Sequence, residues 1–207
     1  MIHPDTELRL ISKEIGLGPV ATKFIPKGTI AWVLDRFDII MSPAEVEALA
    51  PPYAEIASRY SYVDPTGSSI LCWDHARYMN HHCDPAVRGV TPQFQITVRD
   101  VHPGEELTCE YAECNIDFLE CRCGSKKCRG PIKGEDLVRF GAAWDREVVS
   151  ALAKSREVPQ PLWRYILDPE PIKGVIEGKI APMPMRDFFH AASAAAVAAG
   201  KNGNGSH

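Results

Sequence analysis

The residues with the most evident chemistry in this chain are thiols. Cys121, Cys123 and Cys128 form a C-x-C-x4-C loop in which Gly124 lets the backbone turn. A structural zinc ion takes four thiolate or imidazole ligands in a tetrahedron, so this loop supplies three and a fourth must come from elsewhere. Cys83, Cys114, Cys109, Cys72 and the histidines are the candidates, and spacing alone does not choose among them. A catalytic zinc would keep one position open beside a general base, as in H-E-x-x-H. No such motif occurs, so the thiols read as a structural site, with free thiols in a loop as the plain alternative. Two other places carry chemistry of a weaker kind. Gly16-Leu17-Gly18 lets backbone approach a ligand, because glycine has no Cβ. It does not continue into G-x-G-x-x-G and no helical pattern follows, which excludes a Rossmann dinucleotide site. Tyr111 ends an apolar stretch, and Arg77 and Asn80 stand together upstream. Taken alone, each of these is equally a core tyrosine or a satisfied structural polar group.

Composition bounds the rest. The chain has 207 residues, of which 45% are hydrophobic and 24% charged, enough for one domain with a core plus an appendage. A net charge of −4 argues against bulk nucleic-acid binding, which needs a basic surface, and suits a basic peptide partner. Met1 to Asp5 shows no basic segment leading into an apolar core, and no apolar run is long enough to span a bilayer. The expectation is an intracellular protein, without a choice between nucleus and cytoplasm. In that reducing setting the seven cysteines read as metal ligands or buried thiols.

The elements that must position these residues are mostly short strands. Leu8–Ile11, Val20–Phe24, Thr29–Leu34, Phe37–Met41, Ser69–Trp73, Phe94–Val98 and Leu107–Tyr111 read as strands, and Ser12–Pro19 as a glycine-containing turn. Ser42-Pro43-Ala44-Glu45 is a capping box with proline at N1, so a helix begins there, and Tyr53–Tyr60 reads as a second. The predicted class is therefore mainly β. Beyond Pro131 the pattern changes. Leu137, Phe140, Trp144, Val148 and Leu152 recur at helical spacing, predicting an amphipathic helix over Glu135–Ser155. An Ala-rich helix is expected over Arg186–Ala199, followed by a polar, Gly-rich tail.

In order and spacing, four segments together resemble the SET-domain protein-lysine methyltransferases that carry a C-terminal post-SET zinc motif. They are Ile15–Gly18, Arg77-Tyr78-Met79-Asn80-His81-His82-Cys83, Gly104–Tyr111, and the Cys121–Cys128 loop. The resemblance implies small curved sheets with a pseudoknot that lays the Asn80-His81 segment beside Tyr111. Together with the helical pattern and polar tail beyond Pro131, it divides the chain into a SET domain over 5–117, a post-SET zinc motif over 118–133, a helical C-terminal extension over 134–200 and a disordered tail over 201–207. It implies S-adenosylmethionine as cofactor, met by Ile15, Gly16, Leu17, Gly18, Arg77, Asn80, His81 and Tyr111, with Tyr111 catalytic. It also implies one structural Zn2+ on Cys83, Cys121, Cys123 and Cys128, and a substrate channel near Tyr60, Tyr62 and Cys109. The partner would be a protein or peptide with a target lysine, a histone tail by analogy, with no membrane and no nucleic-acid site. The match departs at His82, where serine is usual, at Ala86, where asparagine is common, and at Cys109, where an aromatic residue often restricts how many methyl groups are added. The cysteine-rich region that precedes many SET domains is missing, and the tail from Gly134 lies outside the resemblance. Two readings compete with an enzyme: a non-catalytic SET domain that binds a peptide or protein, and a zinc-stapled interaction scaffold.

Overall fold

A computed structural model describes residues 1–116 and 118–188. The helix expected over Arg186–Ala199 and the polar tail fall almost wholly outside the described residues; within them, Met185–Phe188 is a single 3-10 turn. No helix among the described residues is long and apolar enough to cross a membrane.

The fold is built from three small antiparallel sheets. The first is a hairpin of β1 (Thr6–Ser12) and β2 (Gly16–Ala21), with Leu10 opposite Leu17 and Arg9 opposite Gly18. The glycine pair therefore lies in a strand, where the sequence suggested a turn. Ser12 closes the turn early: its Oγ accepts the N–H groups of Glu14 and Ile15 at 3.2 and 3.1 Å. Gly16 then supplies the left-handed φ of +88° that returns the chain.

The central sheet runs in the order β3-β8-β7, from Ile30–Val33, Phe94–Thr97 and Val87–Thr91. Its strands are buried on both faces, which is why β3 reads as an unbroken apolar run. One face holds Ile30, Val33, Val90, Phe94 and Ile96 against the C-terminal helices. The other packs Ala31, Trp32 and Val87 with Ile25, Met79, Leu107 and Cys109. β7 was not visible in the sequence, because Arg88 and Gly89 interrupt its apolar pattern. The third sheet, β4-β6-β5, joins Ile39–Met41, Ser69–Leu71 and Ser61–Val63. Between its strands lie α1 (Pro43–Glu47), started by the Ser42–Glu45 capping box, and α2 (Tyr53–Tyr60).

Leu107–Tyr111 is not the strand that its alternation suggests. Its backbone bonds to different segments in turn: Leu107 N–H to Pro19 at 2.8 Å, then Cys109 N–H to Asn80 at 3.0 Å. Glu110 then caps a 3-10 turn, Tyr111–Cys114, by accepting the Ala112 N–H at 3.0 Å. The hydrogen bond from His82 N–H to Cys109 O at 3.1 Å completes a parallel bridge between His81 and Cys109. Segments about thirty residues apart are thereby laid side by side.

The long C-terminal helix α3 spans Asp136–Leu152 and buries Leu137, Gly141, Trp144, Val148, Ala151 and Leu152 on one stripe. Trp144 is 7% exposed and belongs to the same core cluster as β3, β7 and β8. With α4 (Pro169–Ile176), Leu162 and Met185, the helix closes over the central sheet, so the extension packs on the domain. Trp163 is only partly buried.

Candidate active site and thiol cluster

Tyr111 stands where the parallel bridge meets the 3-10 turn. Its hydroxyl donates to Met79 O at 3.0 Å, and burial pushes its phenol well above the ordinary pKa, so it is protonated. It faces a cavity of about 230 Å³. Tyr60, Tyr62, Cys109 and Arg77 line the same cavity, with Glu113 and Phe188. The three residues expected near a substrate channel are thus gathered around Tyr111. Ser61 Oγ, Tyr62 OH and Arg77 Nε are buried and have no protein hydrogen-bond partner. A buried polar atom left unpaired costs about 1–3 kcal/mol, and all three of these atoms belong to residues that line this cavity. Arg77 also lines this cavity, with its guanidinium 5.5 Å over the Tyr78 ring.

The glycine segment is met from the other side by Asn80. Its Nδ2 donates to Leu17 O at 2.9 Å and to Glu106 Oε1 at 2.7 Å. Burial raises the Glu106 pKa, and the Asn80 bond opposes that rise. A Cβ on Gly18 would stand 2.2 Å from Glu106 Oε1 and 2.9 Å from Asn80 Nδ2, so any larger residue there would push the Glu106 and Asn80 side chains aside. Ile15 and Leu17 present exposed side chains on the same hairpin. His81 contributes differently. Its ring takes the Tyr111 N–H on Nδ1 at 3.2 Å, and burial followed by the Arg129 charge pushes its pKa down to about 3. Its side chain is therefore committed inward, which leaves its main-chain N–H and C=O, turned away from Cys109, as the groups open to a ligand.

The thiols converge. Cys83, Cys121 and Cys123, with His81, offer ligand atoms that all lie within 4.8 Å of one another. Cys83 Sγ and Cys121 Sγ are 3.7 Å apart. A tetrahedral zinc with Zn–S bonds of about 2.3 Å has S···S edges of about 3.8 Å, so the spacing fits that ion. Burial pushes the Cys83 and Cys121 thiols up; against the same cost, the Cys83 and Ser125 N–H groups bring Cys123 down to about 7. Cys128 is exposed and approaches Cys121, outside the tight group of four.

Two charge clusters frame the site. Arg129, next to Cys128, binds Glu110 at 2.6 Å and Asp136 at 3.0 Å, tying the thiol loop to Tyr111's neighbour and to the start of α3. Arg88 is 1% exposed, meets Glu113 at 3.3 Å and Glu147 at 2.5 Å, and stacks 4.4 Å over Trp144. Burial pushes Glu113 up to about 7 despite that arginine. Sequence reasoning missed Glu106, Glu113 and Phe188. Phe188 could not be found by motif, since it reaches the cavity through the C-terminal extension; Asn115 Nδ2 donates to both Phe188 O and Val63 O at 2.9 Å. Glu113 stands between Ala112 and Cys114 in an apolar stretch, and a carboxyl in that setting is the signal that was available.

The SET domain family model matches residues 16–112. The chain is 30% identical over 155 residues to histone-lysine N-methyltransferase SETD2 of Mus musculus, a match that covers 68% of this chain and 6% of that protein, and the same holds for SETD2 of Homo sapiens. It is 27% identical over 142 residues to histone-lysine N-methyltransferase EHMT1 of Homo sapiens, covering 57% of this chain and 10% of that protein. The chain thus spans a small fraction of the length of these relatives.

Proposed function

This chain is a SET-domain protein, and we propose that it is a protein-lysine N-methyltransferase that uses S-adenosylmethionine, with a histone lysine as the substrate suggested by its relatives. The observation that carries the reading is the shared position of Tyr111. It lines a cavity with Tyr60, Tyr62 and Cys109, and it lies against the His81 segment whose neighbour Asn80 holds the Gly18 strand. A lysine side chain entering the cavity would meet aromatic walls that favour an ammonium ion. S-adenosylmethionine would supply the activated methyl group from the glycine side. The chain's own part is positioning. Asn80 ties the glycine strand to the His81 segment, and the Tyr111 hydroxyl, fixed by Met79 O, orients the incoming amine. A lysine amine has a reference pKa of about 10.4 and attacks only when neutral, a state that a water-poor cavity favours. Cys83, Cys121 and Cys123 would hold one structural zinc with Cys128 as fourth ligand, stapling the loop beside the site.

The test is methyl transfer from labelled S-adenosylmethionine into mixed histones and cell lysate, with Tyr111→Phe in parallel. Label on protein lysine that disappears in the variant is the expected result. Cofactor binding by calorimetry without transfer to any pool would instead support a binding module, and absence of binding would support a scaffold.

A further inference from the structure

We infer that His81 is the mechanical link between the zinc centre and Tyr111, acting as a positioning residue and not as a metal ligand. The inference rests on the zinc and Tyr111 assignments above. It starts from the two ring nitrogens. Nδ1 stands 3.2 Å from the Tyr111 backbone nitrogen, a group that can only donate, so Nδ1 must present its lone pair. A neutral imidazole with a free lone pair on Nδ1 carries its proton on Nε2. Nε2 stands 3.3 Å from Cys83 Sγ, so that proton points at the sulfur. A protonated nitrogen has no lone pair for a metal, and His81 therefore donates to the Cys83 thiolate instead of joining it as a ligand.

The opposite tautomer would need Nδ1–H to find an acceptor, and Glu110 Oε1 is the group in range. It lies 3.5 Å away, longer than a normal hydrogen bond, and it already accepts from Arg129 at 2.6 Å and from Ala112 N–H at 3.0 Å. The Tyr111 N–H would then also lose its acceptor in a buried place. The side chain of His81 is 4% exposed, so water does not substitute for either partner. The chain of contacts runs from Cys83 Sγ through the imidazole to the Tyr111 main chain, and the same rings pack at 5.6 Å. Loss of zinc would release Cys83, and with it the group that orients Tyr111.

The experiment uses the full chain loaded with zinc, with His81→Phe, which keeps the ring but removes both nitrogens, and His81→Gln, whose amide N–H overlays Nε2–H. Zinc affinity is read by chelator competition, and exchange of the Tyr111 amide proton by NMR, with Ile96 in the central sheet as the folding reference. Outer-shell partners of metal ligands typically contribute about 10–100-fold in affinity, so His81→Phe should weaken zinc by at least about tenfold, with His81→Gln restoring most of it. The Tyr111 amide should exchange at least tenfold faster in zinc-loaded His81→Phe while Ile96 stays protected. Cobalt substitution should give the same four-thiolate spectrum in wild type and His81→Phe. Unchanged Tyr111 exchange in His81→Phe overturns the link, and a cobalt spectrum that changes its ligand set overturns the tautomer assignment. Failure of the wild-type chain to bind zinc would remove the metal assignment itself, a result that chelator competition separates from the other two.

Discussion

Replacing Glu113 by glutamine should remove a pH dependence from folding. Glu113 is buried, accepts from Gly89 N–H at 2.7 Å and faces Arg88 at 3.3 Å, yet burial holds its pKa at about 7 instead of the usual 4.5. A carboxyl whose native pKa lies above its unfolded value binds its proton more tightly in the native state. Stability then falls as pH rises between the two values. From 4.5 to about 7, at about 1.4 kcal/mol per pH unit, the loss comes to about 3 kcal/mol. In a chain of this size that corresponds to roughly 6–12 °C in Tm. The glutamine keeps the shape and an oxygen for Gly89, and Arg88 keeps Glu147, so a constant offset is expected on top. The assay is urea unfolding of both proteins from pH 4.5 to 8. Wild-type stability minus that of Glu113→Gln should decline by about 3 kcal/mol across this range and be flat above pH 7. His3 and His81, whose pKa values burial depresses, titrate alike in both proteins and cancel. A difference that stays constant with pH would refute the argument that burial dominates the arginine at this carboxyl.

Gly18→Ala would place a methyl group 2.2 Å from Glu106 Oε1; S-adenosylmethionine affinity, measured by calorimetry, should fall at least tenfold while far-UV circular dichroism is unchanged. Zinc content should be one ion per chain by mass spectrometry, and Cys128→Ser should lower both metal content and folding yield, because structural zinc contributes folding free energy. Cys109, 4% exposed on the cavity wall, leaves room beside Tyr111. Wild type should therefore add more than one methyl group to a lysine, and Cys109→Phe should shift products toward monomethyl; a wild type that stops at one methyl after long incubation contradicts this.

What could be read beforehand divides along physical lines. Turn chemistry and helix caps are local, so the Ser42 capping box and α2 were legible, as was the stripe of α3. Central strands were legible only where apolar runs were unbroken, as in β3; β7 was hidden because its buried Arg88 is neutralised by Glu113 and Glu147, residues distant in sequence. Leu107–Tyr111 misled for a related reason: its alternation is real, but three different segments share its hydrogen bonds. For the candidate site, motif resemblance pointed at Tyr111, Asn80 and the thiols without supplying distances. Phe188 and the double tautomer constraint on His81 had no trace in spacing, because both arise only when the chain closes on itself.

The core that joins α3 to the central sheet also bears on how this protein can be cut and recombined. Residues 16–112 carry the shared family pattern, yet Ile30, Phe94 and Ile96 meet Leu137, Trp144, Leu162 and Met185 in one apolar cluster. A fragment trimmed to the family boundary would leave one face of its central sheet bare, at about 25 cal/mol for each Å² of apolar surface left uncovered. For grafting, fusion or exchange with a relative, the unit that travels intact includes at least the stretch from Ile2, buried against Trp32, through Phe188. A seam placed after residue 112 would cut through the interior, leaving neither piece with a surface fit for water.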